Sequence, residues 1–250
     1  MLTIEILGVT LIVLILIVCG DKGSKSIITT VINAVILLIA IYLIYKGIHP
    51  IIVTVVFCII ITSIVLFYQN EIDSKSKASF ISVLIVIAIV VPLVYIVANS
   101  ANSEGFNSEQ YEITDSNGYT RNINISMLSL QISTMLIALM GTVIDTAVAV
   151  TSSIYEIKTT GQVSSTKELA TAGFTVGKSI MSTSIHTIFY IYMAEYLTLM
   201  IQYVNDYTFI KLINSESFVH ELIAVSISGI GCCLVIPVAI YVSCHTKHNI

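Results

Sequence analysis

Asp145 and Lys178 carry charge well inside long apolar runs of this 250-residue chain. A carboxylate or ammonium at that position is costly unless it is neutralised, paired or wetted, so its presence is a functional hypothesis by default. At helical spacing Gln131, Thr134, Ala138, Gly141, Asp145, Ser152 and Glu156 follow one another by steps of three, four or seven and form one stripe. Lys178, Ser182 and His186 stand at i, i+4 and i+8 and share a face of the next run. Counted inward from the connection between these runs, Asp145 and Lys178 each lie roughly 10 Å below the same membrane face, so the spacing predicts that they meet. Unless Lys178 merely snorkels to the headgroups, such a pair has two readings. It is a site that binds or couples a cation, with Lys178 as gate and Ser152, Ser182, His186 and Glu156 as polar lining, or it is a structural ion pair that pins two helices. His186 also reads as a hydrogen-bonded packing residue. Glu195 and Glu221, with His220, form either an outer acidic rim or side chains that snorkel to the headgroups.

Small residues accompany these charges. Gly173 and Gly177 make a G-x-x-x-G that lets helices approach closely, and Gly141, Gly229 and Gly231 are further packing positions. The segment Ser228-Gly229-Ile230-Gly231, followed by Pro237, is helix-weakening, which at membrane depth survives where it is buried in protein or lines a polar cavity. No phosphate-cradling G-x-x-x-x-G-K-[ST], no H-E-x-x-H and no G-x-S-x-G occurs, so the reading is not an enzyme, with no cofactor and no metal. A single intramembrane aspartate does not make an aspartyl protease, which needs two carboxyls sharing a proton. The five cysteines sit on or beside apolar runs and read as small core or lipid-facing residues rather than as disulfides.

The elements that must position these groups follow from composition. Apolar residues are 56% of the chain and charged residues 10%, and the mean hydropathy is +0.95. That excludes a disordered chain, a basic nucleic-acid binder and a cytosolic enzyme with a solvated exterior. About 140 apolar residues would supply about seven spans at roughly 20 residues each. Uninterrupted runs cover residues 3–19, 27–45, 49–68, 79–98, 126–153, 174–204 and 218–243. The first has Glu5 where a signal peptide is basic, so it is expected to be retained. Lys22, Lys25, Lys75, Lys77, Lys158, Lys167 and Lys247 fall on one side, against Lys46, Arg121 and Lys211 on the other. By the positive-inside rule the N-terminus is then outside and the C-terminus cytoplasmic. The expected fold is an all-α polytopic bundle of about seven spans. Residues 1–98 form a four-span apolar region, 99–125 an extracytoplasmic polar loop with Glu104, Glu109, Glu112 and Asp115, and 126–250 a three-span core with a short tail. No internal repeat is evident, so an inverted-repeat transporter is not expected. Ser165-x-x-Glu168 is a capping box opening a short helix before Gly173.

The run from Met140 through Gly141, Asp145, Ser152 and Ser153 to Glu156, then Gly177-Lys-Ser-Ile-Met-Ser-Thr183 and Tyr192-Met-Ala-Glu-Tyr-Leu, resembles the YibE/F-like family of bacterial integral membrane proteins. The resemblance is specific over residues 126–245 and compositional before them. Ser179, Ser182 and His186 depart from its pattern, standing where an acid, a glycine and an asparagine are expected. The resemblance implies a multi-pass protein of the bacterial plasma membrane, working with a second copy or a related subunit. The expectation is a permease subunit for an unknown solute, with a polar pathway between spans five, six and seven. The alternative is a non-transporting assembly subunit in which the charge pair only fixes packing. Its partners are lipid and such a subunit, not nucleic acid.

Overall fold

In hydrocarbon a run of Ile, Val and Leu has no water to satisfy its peptide groups, so the runs must close their own hydrogen bonds as helices. The computed structural model describes residues 2–69, 73–100, 112–114, 120–122, 125–161, 165–206 and 209–246. In chain order it consists of α1 (Leu2–Tyr45), α2 (Pro50–Ile64) running on into a π turn (Val65–Gln69), α3 (Ser74–Ser100), β1 (Glu112–Thr114), β2 (Thr120–Asn122), α4 (Met127–Thr159), α5 (Thr166–Asp206), α6 (Phe209–Ile213) and α7 (Glu216–His245). Among the described residues the fold is helical apart from the short antiparallel pair β1–β2, in which Ile113 is in register with Arg121. That pair lies in the segment expected to be a plain polar loop; Glu104, Glu109 and Asp115 of that loop, and Lys247 of the tail, lie outside the described residues.

Among the described residues, five helices are long and apolar enough to cross a bilayer: Thr3–Tyr45, Pro50–Tyr68, Ser74–Ser100, Met127–Thr159 and Phe218–His245. With the family result given below, they make this a membrane protein. The first two expected runs are joined in α1, which bends at Gly20 (φ 54°, ψ −130°). A side chain at that φ would be strained, and glycine accepts it. A Cβ on Gly23 would lie 2.6 Å from the Ile15 carbonyl oxygen. In a straight helix those residues stand about 12 Å apart, so the arms fold closely at the corner. α5 is too polar to count among the five. Its N-cap is as the sequence implies, the Glu168 N–H donating to Ser165 Oγ at 3.2 Å, but the helix runs unbroken past Gly173 to Asp206.

α4 is the centre, touching α2, α3, α5 and α7, and 56% of its apolar window is buried against 11% for α1. Lipid tails are as apolar as the side chains, so helix association rests on close packing and interhelical hydrogen bonds. α4 and α7 run parallel and are pinned at three levels. Gln131 Nε2 meets His220 Nδ1, Thr146 Oγ1 donates to Cys232 Sγ at 3.5 Å, and Lys158 Nζ donates to the Thr246 carbonyl at 3.2 Å. Between them a Cβ on Gly231 would collide with Leu139 and Val143. α5 runs antiparallel to both, Gly173 lying against Ile154 and Ile240 and Gly177 against Ile236. The expected weak segment of α7 stays helical through Gly231 and Pro237, and of its two glycines Gly231 serves the approach to α4.

Candidate functional site

Burial divides α4 by face. Gln131, Met135, Leu139, Val143, Ala147, Val150 and Ile154 are buried, whereas Thr134, Ala138, Gly141 and Asp145 are exposed in the single chain. The predicted stripe is therefore split, with Gln131 turned into the seam with α7. Its Oε1 has no hydrogen-bond partner among the described residues.

Two cavities meet at Asp145. One, about 290 Å³, lies between α4 and α1–α2 and is apolar but for Asn33, Thr54 and Asp145. The other, about 370 Å³, lies between α4 and α5, where Gly141, Thr142 and Asp145 face Thr183, Ser184 and Thr187. Gly141 lines both, and a Cβ there would meet nothing within 4 Å. A third cavity of about 210 Å³ shares Thr142, Ile188 and Ile191 with the second and brings in Tyr192, Glu195, Glu221 and Ser228. A line of hydroxyls thus leads along the α4–α5 seam from Asp145 to two carboxylates. Tyr192 at its end donates to the Phe218 carbonyl at 3.2 Å.

The expected meeting of Asp145 with Lys178 does not occur. No ion pair joins them, although one is seen elsewhere, between Lys75 and Asp73 at 3.9 Å. The register that seats Gly173 on Ile154 brings Thr183 and Ser184 to the level of Asp145. Lys178 lies five residues away, about 7.5 Å along the helix, and is exposed. Depth counted from the connection assumed that both helices enter the membrane at equal heights, and packing sets them otherwise. Ser182 and His186 share the exposed face of Lys178, one residue or about 100° round from the lining face. Ser152 lies apart, in a separate cavity with Lys22 and Lys75. Glu156 is exposed near the end of α4.

The glycines divide likewise. Gly173, Gly177 and Gly231 sit at close contacts, with α7 rather than α4 as the main partner of the G-x-x-x-G. Gly141 and Gly229 do not pack, having nothing within 4 Å of a Cβ; Gly141 provides room instead. Missed in the sequence were Asn33, whose Oδ1 is buried without a partner among the described residues, and Thr142, Thr183, Ser184 and Thr187. The signal for Asn33 was its amide within an otherwise aliphatic run, and for the α5 hydroxyls their own i, i+4 spacing from Thr183 to Thr187. Among the described residues no group of three or more His, Cys, Asp or Glu is placed to hold a metal ion.

A model of the YibE/F-like protein family matches residues 7–248. The match spans nearly the whole chain, including the N-terminal helices whose likeness had been compositional, and the chain belongs to that family. No curated protein and no solved structure matches it.

Proposed function

We propose that this member of the YibE/F-like family is a permease or transport subunit of the plasma membrane, in which Asp145 takes up and releases a cation, protons included. The observation that carries the reading is the pair of cavities sharing Thr142, Ile188 and Ile191, which connects Asp145 to Glu195 and Glu221 between α4, α5 and α7. A carboxylate in apolar surroundings with no ion-pair partner is relieved by a proton or a bound cation, and neighbouring hydroxyls accept or donate as the charge changes. Lys178 has no part in the pathway. The alternative, a scaffold whose charge pair fixes packing, lacks that pair, and the glycine contacts of α7 hold the helices instead.

The proposed topology has seven crossings: the two arms of α1, then α2, α3, α4, α5 and α7. In its favour, α5 lies antiparallel between the parallel α4 and α7 and so covers the same thickness. The lysines of the alternate loops favour a topology with the N-terminus outside and the C-terminus in the cytoplasm. The long, exposed apolar surface of α1 suits lipid, a second copy or a sister subunit.

Proton flux tests the coupling role. In proteoliposomes with a trapped pH-sensitive dye, an imposed potassium diffusion potential drives proton uptake through the wild-type chain, and Asp145→Asn lowers it at least about tenfold, a loss of about 1.4 kcal/mol of barrier reduction. Equal flux in the two, or no flux above empty vesicles, overturns the reading.

A further inference from the structure

Between α1, α3 and α4, a small cavity of about 180 Å³ that Asp145 does not line is mainly polar in its lining: Lys22, Lys75, Ser76, Ser79 and Ser152, closed by Leu66 and Val148. Its polar residues come from three separate helices. Lys22 begins the second arm of α1, just past the corner at Gly20. Lys75, Ser76 and Ser79 belong to the first turns of α3, and Ser152 is on α4. Ser76 and Ser79 are buried, at 2% and 1% exposure. Ser79 is fixed by a 2.6 Å hydrogen bond between its Oγ and Thr151 Oγ1, so this wall of the cavity is tied to α4, while exposed Lys22 and half-buried Lys75 complete the lining.

We propose that this cavity binds a phosphate group. Two residues of like charge that line one small recess repel one another, and an anion between them relieves that repulsion. The start of α3 adds the partial positive charge of a helix N-terminus, and its first-turn N–H groups face the same end. Hydroxyls of Ser76 and Ser152 donate to oxygen atoms that lysine, with a point charge on a flexible stem, does not orient. Among the described residues Asp73 is a carboxylate beside Lys75. It contacts that lysine at 3.9 Å and accepts the Ser74 N–H at 2.6 Å as the helix cap, leaving Lys22 uncompensated by it. Among the described residues Asp21 is exposed beside Lys22 and does not line the cavity. Basic pockets between transmembrane helices at the cytoplasmic boundary are a recurrent seat for anionic headgroups. The shared chemistry is the phosphate, supplied by a lipid headgroup or by free phosphate. The site does not involve Asp145, and its failure leaves the transport reading standing.

The test is the thermal unfolding of the purified full chain in detergent, titrated separately with short-chain phosphatidylglycerol, with inorganic phosphate, and with short-chain phosphatidylcholine as a zwitterionic control. A saturable rise in Tm with phosphatidylglycerol beyond the zwitterionic control supports the site with lipid as its source. A saturable rise with inorganic phosphate supports it with free phosphate as the source. Lys22→Gln with Lys75→Gln weakens the apparent affinity at least about tenfold, while Lys77→Gln, an exposed lysine of the same helix that does not line the cavity, leaves it unchanged. The proposal is overturned if neither anion raises Tm in the wild-type chain beyond the control. It is also overturned if Lys77→Gln weakens the rise as much as the double change, since the effect is then surface charge alone.

Discussion

The two seams on either side of α4 are made from the same small residues and do opposite things. Toward α7, Gly231 brings backbone against Leu139 and Val143, and buried Gln131 meets buried His220, so the seam is closed. Toward α5, Gly141 faces open space beside Asp145, Thr142 and the hydroxyls of α5, and the seam holds cavities. The lesson is that in a membrane helix a glycine signals either contact or vacancy, and which one depends on the partner across the seam. The sequence is the same type at both positions; only the neighbour differs.

The contrast can be broken first where the effect is largest. Gly231→Leu forces a side chain into Leu139 and Val143 and is expected to cost about 3 kcal/mol or more by overpacking, seen as a lower Tm or loss of the folded fraction in detergent. Gly141→Leu enters empty space and is expected to change stability by no more than about 0.5 kcal/mol. Equal losses from the two substitutions would erase the distinction between the seams. A smaller effect comes from the charges. Because Asp145 and Lys178 do not pair, a double-mutant cycle of Asp145→Asn and Lys178→Met is expected to show coupling within about 0.5 kcal/mol of zero in thermal stability, whereas a coupling above about 1 kcal/mol would restore the ion pair.

The helices were legible because their runs of Ile, Val and Leu leave lipid-embedded backbone no other solution. The capping box at Ser165 was legible for a local reason, since a cap concerns neighbours three residues apart. Asp145 stood out because charge in an apolar run is rare. Its surroundings were not legible. Which face of α5 meets α4, and at what height, is set by Gly173 on Ile154 and Gly177 on Ile236, contacts between residues far apart in sequence. A one-residue rotation exchanges Ser182 and His186 for Thr183 and Thr187, and a shift of five residues separates Lys178 from Asp145. Asn33 was hidden for the same reason, as its nearness to Asp145 in one cavity depends on how α1 and α2 pack against α4. Gln131 and His220 lay on the expected stripe and rim respectively, yet they join each other, because the parallel run of α4 and α7 places them level.

The central claim is that the face of α4 bearing Asp145 is wetted while the face toward α7 is dry. Thiol labelling measures this directly in the intact membrane, in a background whose five native cysteines are replaced. A charged, membrane-impermeant reagent is expected to modify Asp145→Cys, and to leave Ala147→Cys, at a position fully buried in the chain, unmodified. If Asp145→Cys resists the charged reagent and reacts only with a lipid-soluble maleimide, the residue faces lipid, and the polar pathway does not exist.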